Sequence, residues 1–471
     1  MQQTLFALLV TGCVLVACRA PVRASEEVSS DAPTHHTSEA MPPSASTNAR
    51  TDPNAEREVE LTFTAFLSEV VAGNLDYAAQ RYNVSLAEAA VAAAKEFPNP
   101  TLQFGGDRDM TYHGKTGTGS DGQPAKLTQV ETYGVGLTQP LELGGKRKYR
   151  ILAARQGHTA AAATLKSFLL NLKLDATAAF ADALAKTQTA SQKRQAADYL
   201  TGLVEAQRHR VRVGDAGEVD LLQTRVEEQQ VQDERLAAEA QAETAALALN
   251  GFLGRERGAE RLIPRGSLEV PARQFDLPQL LTDALEKRPD LVALRHTRDA
   301  ARTGIELAEA QRIPDVDVGL AWTHNGPVAI NHPVDPTPSF EQLTLSFSLP
   351  LPLWNQNRAG IASARFAAIQ VRKQLEAAEL KAEVQLRQAH LAYRSALDRL
   401  ARFRTGILQD AEAVLEARRF SYSRGQTTLL ELLEAQRAAT EVRTGYIEAL
   451  TDAVRALIDL ERAAGWADIE F

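Results

Sequence analysis

Cysteine is nearly absent. The chain has two, Cys13 and Cys18, both within its first 18 residues. A mature chain freed of its leader keeps at most one, so no disulfide framework forms and thiol chemistry is not expected. Long apolar runs are missing as well: none reaches the ~18–20 residues a membrane-spanning helix needs, so the helical bulk should meet water. Basic residues are not in excess. Lys and Arg number 52 against 60 Asp and Glu, a formal charge of −8, which leaves no basic face for nucleic acid. Aromatic residues make up only 6% of the chain, while Gly (28) and Pro (20) are ordinary, which excludes collagen, a disulfide scaffold and a wholly disordered chain. No GxxxxGK[ST] loop, HExxH pair or nucleophile–base arrangement occurs. No enzyme, cofactor or resident metal is expected.

What is present begins with an export signal. Leu5 to Ala17 is an apolar run relieved by Thr11 and Gly12, too short to cross a bilayer and sized for a signal core. Leu15-Val16-Ala17-Cys18 resembles a bacterial lipobox, which predicts a signal peptide over 1–17 and lipidation at Cys18. Val22-Arg23-Ala24 offers the alternative of ordinary cleavage near Ala24. Residues 18–57, rich in Ser, Thr, Pro and acids, read as a flexible tether. His35 and His36 lie in it without further ligands.

The rest of the chain repeats itself at an offset of about 210–216 residues. Phe97-Pro98-Asn99-Pro100 matches Ile313-Pro314-Asp315-Val316. Leu137-Thr138-Gln139-Pro140-Leu141 matches Phe347-Ser348-Leu349-Pro350-Leu351, and Ala153-Ala154-Arg155 matches Ser363-Ala364-Arg365. Arg210 to Gly214 before Val219-Asp220-Leu221-Leu222 matches Phe420 to Gly425 before Leu430-Glu431-Leu432-Leu433. A first repeat over 58–252 and a second over 278–471 flank a Gly/Pro-rich connector, 253–277, with a short strand near Ser267–Val270. The first repeat reads as a helix over about 60–96, strands over about 100–111 and 128–141, and helices over about 146–212 and 218–252, with the break at Gly214–Gly217. The second reads the same way at about 278–312, 315–325, 341–351, 360–424 and 427–464. A helix of about 65 residues is about 100 Å long. Its small and medium apolar residues, separated by Glu, Gln, Arg and Lys, suit a solvent-lapped bundle or tube.

The strands alternate. Leu343, Leu345, Phe347 and Leu349 are separated by Thr344, Ser346 and Ser348; Tyr133, Val135 and Leu137 by Gly134 and Gly136; Val316, Val318, Leu320 and Trp322 by Asp317, Gly319 and Ala321. An apolar face backed by a small or polar one suits a membrane barrel, although period two alone also fits a half-buried soluble sheet. Four strands cannot enclose a pore, and open edges cannot face lipid. In a membrane, several chains must therefore share one barrel.

From residue 58 onward the sequence resembles the outer-membrane factor family of the TolC type. Leu137-Thr138-Gln139-Pro140-Leu141-Glu142-Leu143-Gly144-Gly145-Lys146-Arg147 resembles its CzcC-like branch of heavy-metal efflux channels, and Phe97-Pro98-Asn99-Pro100, Pro350-Leu351-Pro352-Leu353-Trp354-Asn355 and the duplication fit that branch. The resemblance implies a mixed α+β membrane protein. It would be a homotrimer whose chains each give four strands to a 12-stranded outer-membrane barrel, continued by a long helical tunnel in the periplasm. The implied partners are outer-membrane lipid, a periplasmic adaptor (membrane fusion protein) and an inner-membrane RND pump. The implied function is a passive exit duct, for Co, Zn or Cd cations on the strength of the CzcC-like segment. Duct alternatives within the family are drug or solvent efflux and type I secretion. A periplasmic coiled-coil adaptor or spacer is the alternative of a different class.

Two sites follow from the resemblance. The hairpin tips would face the adaptor, which makes Arg212, Val213, Gly214, Ser423, Arg424 and Gly425 docking candidates. Gly214 and Gly425 sit where a helix must end, because glycine takes positive φ without steric cost. Glu431 and Glu434 match the acidic residues that ring the tunnel aperture in the family. Three apart, they share a helix face, so a trimer would hold two rings of three carboxylates, favouring cations and raising one another's pKa. Where the family can carry an Arg after the tip glycine, this chain has Thr427, so a closing salt bridge through that position is not expected. The basic run Gly144 to Lys148 would either meet lipid headgroup phosphates or simply solubilise the chain. Met110, His113, His324 and His332 are placed in two external loops, with no coordinating spacing.

Overall fold

The computed structural model describes residues 58–108, 131–254, 261–269, 272–326 and 339–469. The chain divides into two units, Met1–Ala55 and Glu56–Phe471, and every described residue belongs to the second. The expected leader and tether, with Cys18, His35 and His36, and the loop residues Met110, His113 and His332 lie outside the described residues.

The first half runs β1 (Glu58–Thr62), α1 (Phe63–Gly73), α2 (Leu75–Lys95), β2 (Thr101–Arg108), β3 (Glu131–Leu141), α3 (Lys146–Arg212), α4 (Glu218–Leu253) and β4 (Arg261–Arg265). The second half runs α5 (Leu277–Lys287), α6 (Pro289–Ala310), β5 (Val316–Asn325), β6 (Phe340–Ser348), α7 (Arg358–Arg402), a π turn (Phe403–Ile407), α8 (Leu408–Ser423) and α9 (Leu429–Ala464). α3 has 67 residues without a proline, so nothing interrupts its hydrogen-bond ladder over about 100 Å.

Three expected helices are divided. The one placed at 60–96 starts as β1, because Val59 and Leu61 alternate with Glu60 and Thr62 and turn inward, Leu61 being buried. It breaks again at Asn74, whose extended backbone starts α2 while its side-chain oxygen accepts the Tyr77 N–H at 2.9 Å. The one at 278–312 breaks at Arg288, since the residue before a proline avoids the helical region. The one at 360–424 contains the π turn, where one extra residue is absorbed beside Gly406. Phe403 in that turn rests on Gly445, where an added Cβ would lie 3.4 Å from its ring. The connector strand lies at β4 rather than at Ser267–Val270. β4 pairs in parallel with β1, from Glu58 opposite Arg261 to Thr62 opposite Arg265.

Above this pair lies an antiparallel sheet in the order β2-β3-β5-β6. β2 and β6 are its edges among the described residues. The main core gathers where α1, β1 and β4 meet the long helices. Phe66, Phe180, Leu249, Leu262 and Leu457 are fully buried there, and the Phe66 and Phe180 rings stack at 5.5 Å. Each such side chain contributes about 1.5–3 kcal/mol by leaving water.

The duplication is visible in backbone conformation. α3 and α7 both start from left-handed residues, Gly145 and Asn357. The first helix of each hairpin ends before a left-handed glycine, Gly214 or Gly425, and the second before Gly254 or Gly465. The two members of each pair lie about 210 residues apart, and each falls at an α-helix boundary, where such a conformation ends or starts a helix.

Candidate functional site: hairpin tips and four-stranded sheet

The two tips are built alike. After α3, Gly214 N–H bonds the Val211 carbonyl at 3.1 Å and Asp215 N–H the Arg210 carbonyl at 2.8 Å. After α8, Gly425 N–H bonds the Tyr422 carbonyl at 3.0 Å and Gln426 N–H the Ser421 carbonyl at 2.9 Å. Both are Schellman closures, which satisfy the last carbonyls of a helix only if the glycine position has positive φ. Val213 is exposed beside the first glycine. Arg212 ends α3. Ser423 ends α8 with its hydroxyl on the Phe420 carbonyl, and Arg424 lies over the Phe420 ring.

The tips are tied to each other. The Tyr422 hydroxyl accepts Arg210 Nη1–H at 2.9 Å and also meets Gln207. Arg210 is held in turn by Asp215 at 2.8 Å. Leu200 on α3 and Leu429 and Leu433 on α9 bury a small apolar cluster beside this knot. Sequence reading passed over Tyr422, Gln207 and Arg210. Their one local signal is an aromatic hydroxyl three residues before a tip glycine.

Glu431 and Glu434 do sit on neighbouring positions of α9, but in unlike surroundings. The Glu431 carboxylate takes a hydrogen bond from the Thr427 hydroxyl and an ion pair from Arg418 at 2.9 Å. Its backbone N–H is capped by Thr428 at 3.3 Å. The Thr427 hydroxyl first, and then the Arg418 charge, hold this carboxyl below the usual carboxylate range. Within one chain this is opposite to the upward push expected from a ring of like charges. Glu434 is exposed, with no ion pair among the described residues. Thr427 carries no charge, and its hydroxyl holds Glu431 by a hydrogen bond, while the ion pair to that carboxylate comes from Arg418.

Strand register sorts the sheet into rows. Leu102, Leu137, Leu320 and Leu345 lie abreast, and so do Phe104, Val135, Trp322 and Leu343. The rows between hold Gln103, Gly136, Ala321 and Thr344, and then Thr101, Thr138, Gly319 and Ser346. Since neighbouring rows point to opposite faces, one face is aliphatic and aromatic and the other small or hydroxylated. Leu343 is 71% and Phe104 78% exposed on the apolar face. Toward the end away from the helices, Tyr133 packs edge-on to Trp322 at 6.2 Å and stacks on His324 at 4.7 Å. His324 is therefore a strand residue, not a loop residue. Among the described residues no group of His, Cys, Asp or Glu could hold a metal ion, and no helix is long and apolar enough to cross a membrane.

The sheet is stitched to the helices by the basic run expected to meet headgroups or water. Lys146 pairs with Asp315 at 2.7 Å, and Arg147 donates to the Lys95 carbonyl at the end of α2 while lying over the Phe97 ring. Arg150 bridges Glu142 and the carbonyls of Ala94 and Glu96. Two of the three charges of Lys146-Arg147-Lys148 are thus engaged by the protein itself, in a half-buried ion pair and on an orphan helix carbonyl.

Comparison with known proteins agrees with this architecture. The family model described as outer membrane efflux protein matches residues 66–255 and 280–466. The cobalt-zinc-cadmium resistance protein CzcC of Cupriavidus metallidurans is 24% identical over 406 residues, covering 86% of this chain and 90% of that protein. The fusaric acid resistance protein FusA of Burkholderia cepacia is 27% identical over 269 residues, covering 54% of this chain and 48% of that protein. Among solved structures, CusC, whose folding and transmembrane channel formation were studied, superposes with a TM-score of 0.69 at 16% identity, covering 92% of this chain and 99% of that one. The chain belongs to the outer membrane efflux protein family, whose members are passive channels and not enzymes.

Proposed function

We propose that this chain is one third of an outer-membrane exit duct for heavy-metal cations. The observation that carries the duct is the four-stranded sheet, apolar on one face and small or hydroxylated on the other, with both edges open among the described residues and a helix of 67 residues leading directly out of it. Apolar rows belong against lipid and hydroxylated rows against a wet bore. Open edges close when copies share one barrel. Two copies would give eight strands, an interior that side chains fill; three give twelve and room for a channel. The cation reading draws on the CzcC-like segment and on the resistance function in the name of that relative.

The remaining parts of the machine are proposals on the same footing. The exposed tips at Arg212–Gly214 and Ser423–Gly425 would receive a periplasmic adaptor that links the duct to an RND pump. Three chains would present six tips of one backbone shape. Glu431 and Glu434 would ring the aperture, with Glu431 held charged by Thr427 and Arg418. A lipid on Cys18 would anchor the N-terminus. Drug or solvent efflux is the second reading, favoured by the likeness to a fusaric acid resistance protein.

The test is conductance of the detergent-extracted protein in a planar bilayer, wild type beside Glu431→Gln/Glu434→Gln. Discrete cation-selective steps that lose selectivity in the double variant support the duct and its acidic aperture. Steps unaltered by the substitutions remove the two glutamates from the aperture. Absence of steps, from a particle of single-chain mass, overturns the duct.

A further inference from the structure

The segment that follows α9 folds back on it as a strap. Gly465, with positive φ, ends the helix, and its N–H and that of Trp466 both bond the Glu461 carbonyl, at 2.8 and 3.1 Å. The Asp468 N–H then returns to the Glu461 carboxyl at 2.9 Å, and Ile469 is buried in the main core. The strap also clasps the connector between β4 and α5. Asp468 pairs with Arg273 at 3.0 Å, and the Trp466 ring meets Phe275 edge-on at 6.0 Å. The connector is fixed in turn to α7: the Arg273 N–H donates to the Tyr393 hydroxyl at 3.1 Å, and the Phe275 and Tyr393 rings lie 5.7 Å apart. Gly465–Ile469 thereby ties the end of α9 to α7 through the connector.

Glu461 sits under the middle of the strap, fully buried, with Oε1 lacking a partner among the described residues. A neutral carboxyl tolerates that place. A carboxylate there would have exchanged its hydration for a single N–H, at a far higher cost. The surrounding charges do not make up the difference. Arg273 on the connector attracts and Asp468 on the strap repels, but these two are paired with each other. Arg288, against Gly465, is engaged by Asp290 and the Ala463 carbonyl. On α7, Tyr393 and His390 are turned to the connector backbone. On α5, which packs on α9, Lys287 pairs with Asp283, and Glu286 is exposed. On α9 itself Arg462 is held by Asn171 and Asp175, and Asp459 is exposed. Among the described residues, therefore, no cation faces Glu461 without an acid of its own.

We propose that Gly465–Ile469 is a proton-controlled strap, closed over Glu461 while that carboxyl holds its proton and lifted from the connector when the proton leaves. Lifting admits water to the carboxylate, withdraws Ile469 from the core and parts Trp466 from Phe275. α9 stays in place, since Leu457 and Leu460 are buried in the main core. Burial sets the window, holding the carboxyl at about 7 under the closed strap. An open strap exposes it and restores about 4.3. The closed state thus binds the proton more tightly, so closure weakens as pH rises between these values and levels off above them. From pH 5 to pH 8 the closure constant falls on the order of a hundredfold. The device depends neither on the cargo of the duct nor on the number of copies in it.

The test is backbone hydrogen exchange of the full chain in detergent, read by fragment mass from pH 5 to pH 8 and corrected for the intrinsic pH dependence of exchange. Wild type is set beside Glu461→Gln, which keeps the acceptor and cannot ionise. In wild type the protection of fragment 465–469 is expected to fall on the order of a hundredfold, while fragment 447–460 of α9 holds constant. In the variant both fragments are expected to hold constant. Asp468→Asn keeps the backbone N–H and frees Arg273 to face the carboxylate, so the fall is expected to shrink. Protection of 465–469 that does not change with pH in wild type, that falls equally in Glu461→Gln, or that falls undiminished in Asp468→Asn overturns the strap.

Discussion

Arg210, four residues before the first tip glycine, donates a hydrogen bond of 2.9 Å to the hydroxyl of Tyr422, which stands three residues before the second. The two hairpins are thereby joined at their free ends, beside the apolar cluster of Leu200, Leu429 and Leu433. The knot also covers Gln207, which is 1% exposed.

Tyr422→Phe removes only the shared oxygen. Gln207 is left buried without its partner, a cost of about 1–3 kcal/mol, and Arg210 keeps Asp215. In a planar bilayer the variant is expected to show a larger or more frequently open conductance than wild type, with the oligomer intact. Unchanged conductance would mean that the tips are held elsewhere.

Adjacent positions on β6 test the two faces of the sheet. Leu345 stands in the apolar row and Thr344 in the hydroxylated one. Leu345→Arg places a charge against lipid at about 2–4 kcal/mol, and the protein is expected to be depleted from outer-membrane fractions. Thr344→Arg is expected to insert normally and to reduce cation conductance. The reverse pattern would exchange the lipid and bore faces.

Left-handed glycines differ in what surrounds them. Gly214 has positive φ in open space, whereas a Cβ at Gly254 would lie 2.2 Å from the Gly73 carbonyl oxygen. Gly214→Ala is expected to cost about 1–2 kcal/mol of conformational strain and to leave assembly unharmed. Gly254→Ala must push α4 away from α1 and is expected to reduce the yield of detergent-resistant oligomer severely. Yield and melting temperature of the two variants decide it.

Glu461 is fully buried, with Oε2 accepting the Asp468 N–H at 2.9 Å and Oε1 without a partner among the described residues. Burial pushes its carboxyl up to about 7, against the Asp468 N–H and the Arg273 charge. Its unfolded value is about 4.3, so between these limits the folded chain binds the extra proton and stability falls as pH rises. Glu461→Gln keeps the acceptor and loses the charge. Melting curves are expected to coincide near pH 4.5 and to favour the variant by about 1–3 kcal/mol at pH 8. Equal melting temperatures at pH 8 would contradict a raised carboxyl.

The legible part of this fold is what a chain settles with its near neighbours. Alternation over β3, β5 and β6, the proline-free length of α3 and the glycines that end helices at the tips all act within a few residues, through periodicity and φ alone. The same local signals misread Glu60–Thr62 as the start of a helix, because the partner strand, Arg261–Arg265, lies about 200 residues away and only the pair reveals a strand. Pro289 was a local stop signal within reach of the sequence and was passed over.

By itself the sequence determined a duplicated, long-helical chain with amphipathic strands and tips at Gly214 and Gly425, since hydrogen bonds within helices and the two-residue period of strands need no distant partner. Tertiary structure alone decided that Arg418 and Thr427 hold Glu431, that Tyr422 ties the hairpins together, and that Lys146 and Arg147 are taken up by Asp315 and the Lys95 carbonyl. A charge or hydroxyl on a wet-looking helix carries no mark of what lies opposite it. Its role is set by side chains brought from tens or hundreds of residues away, and only packing selects them.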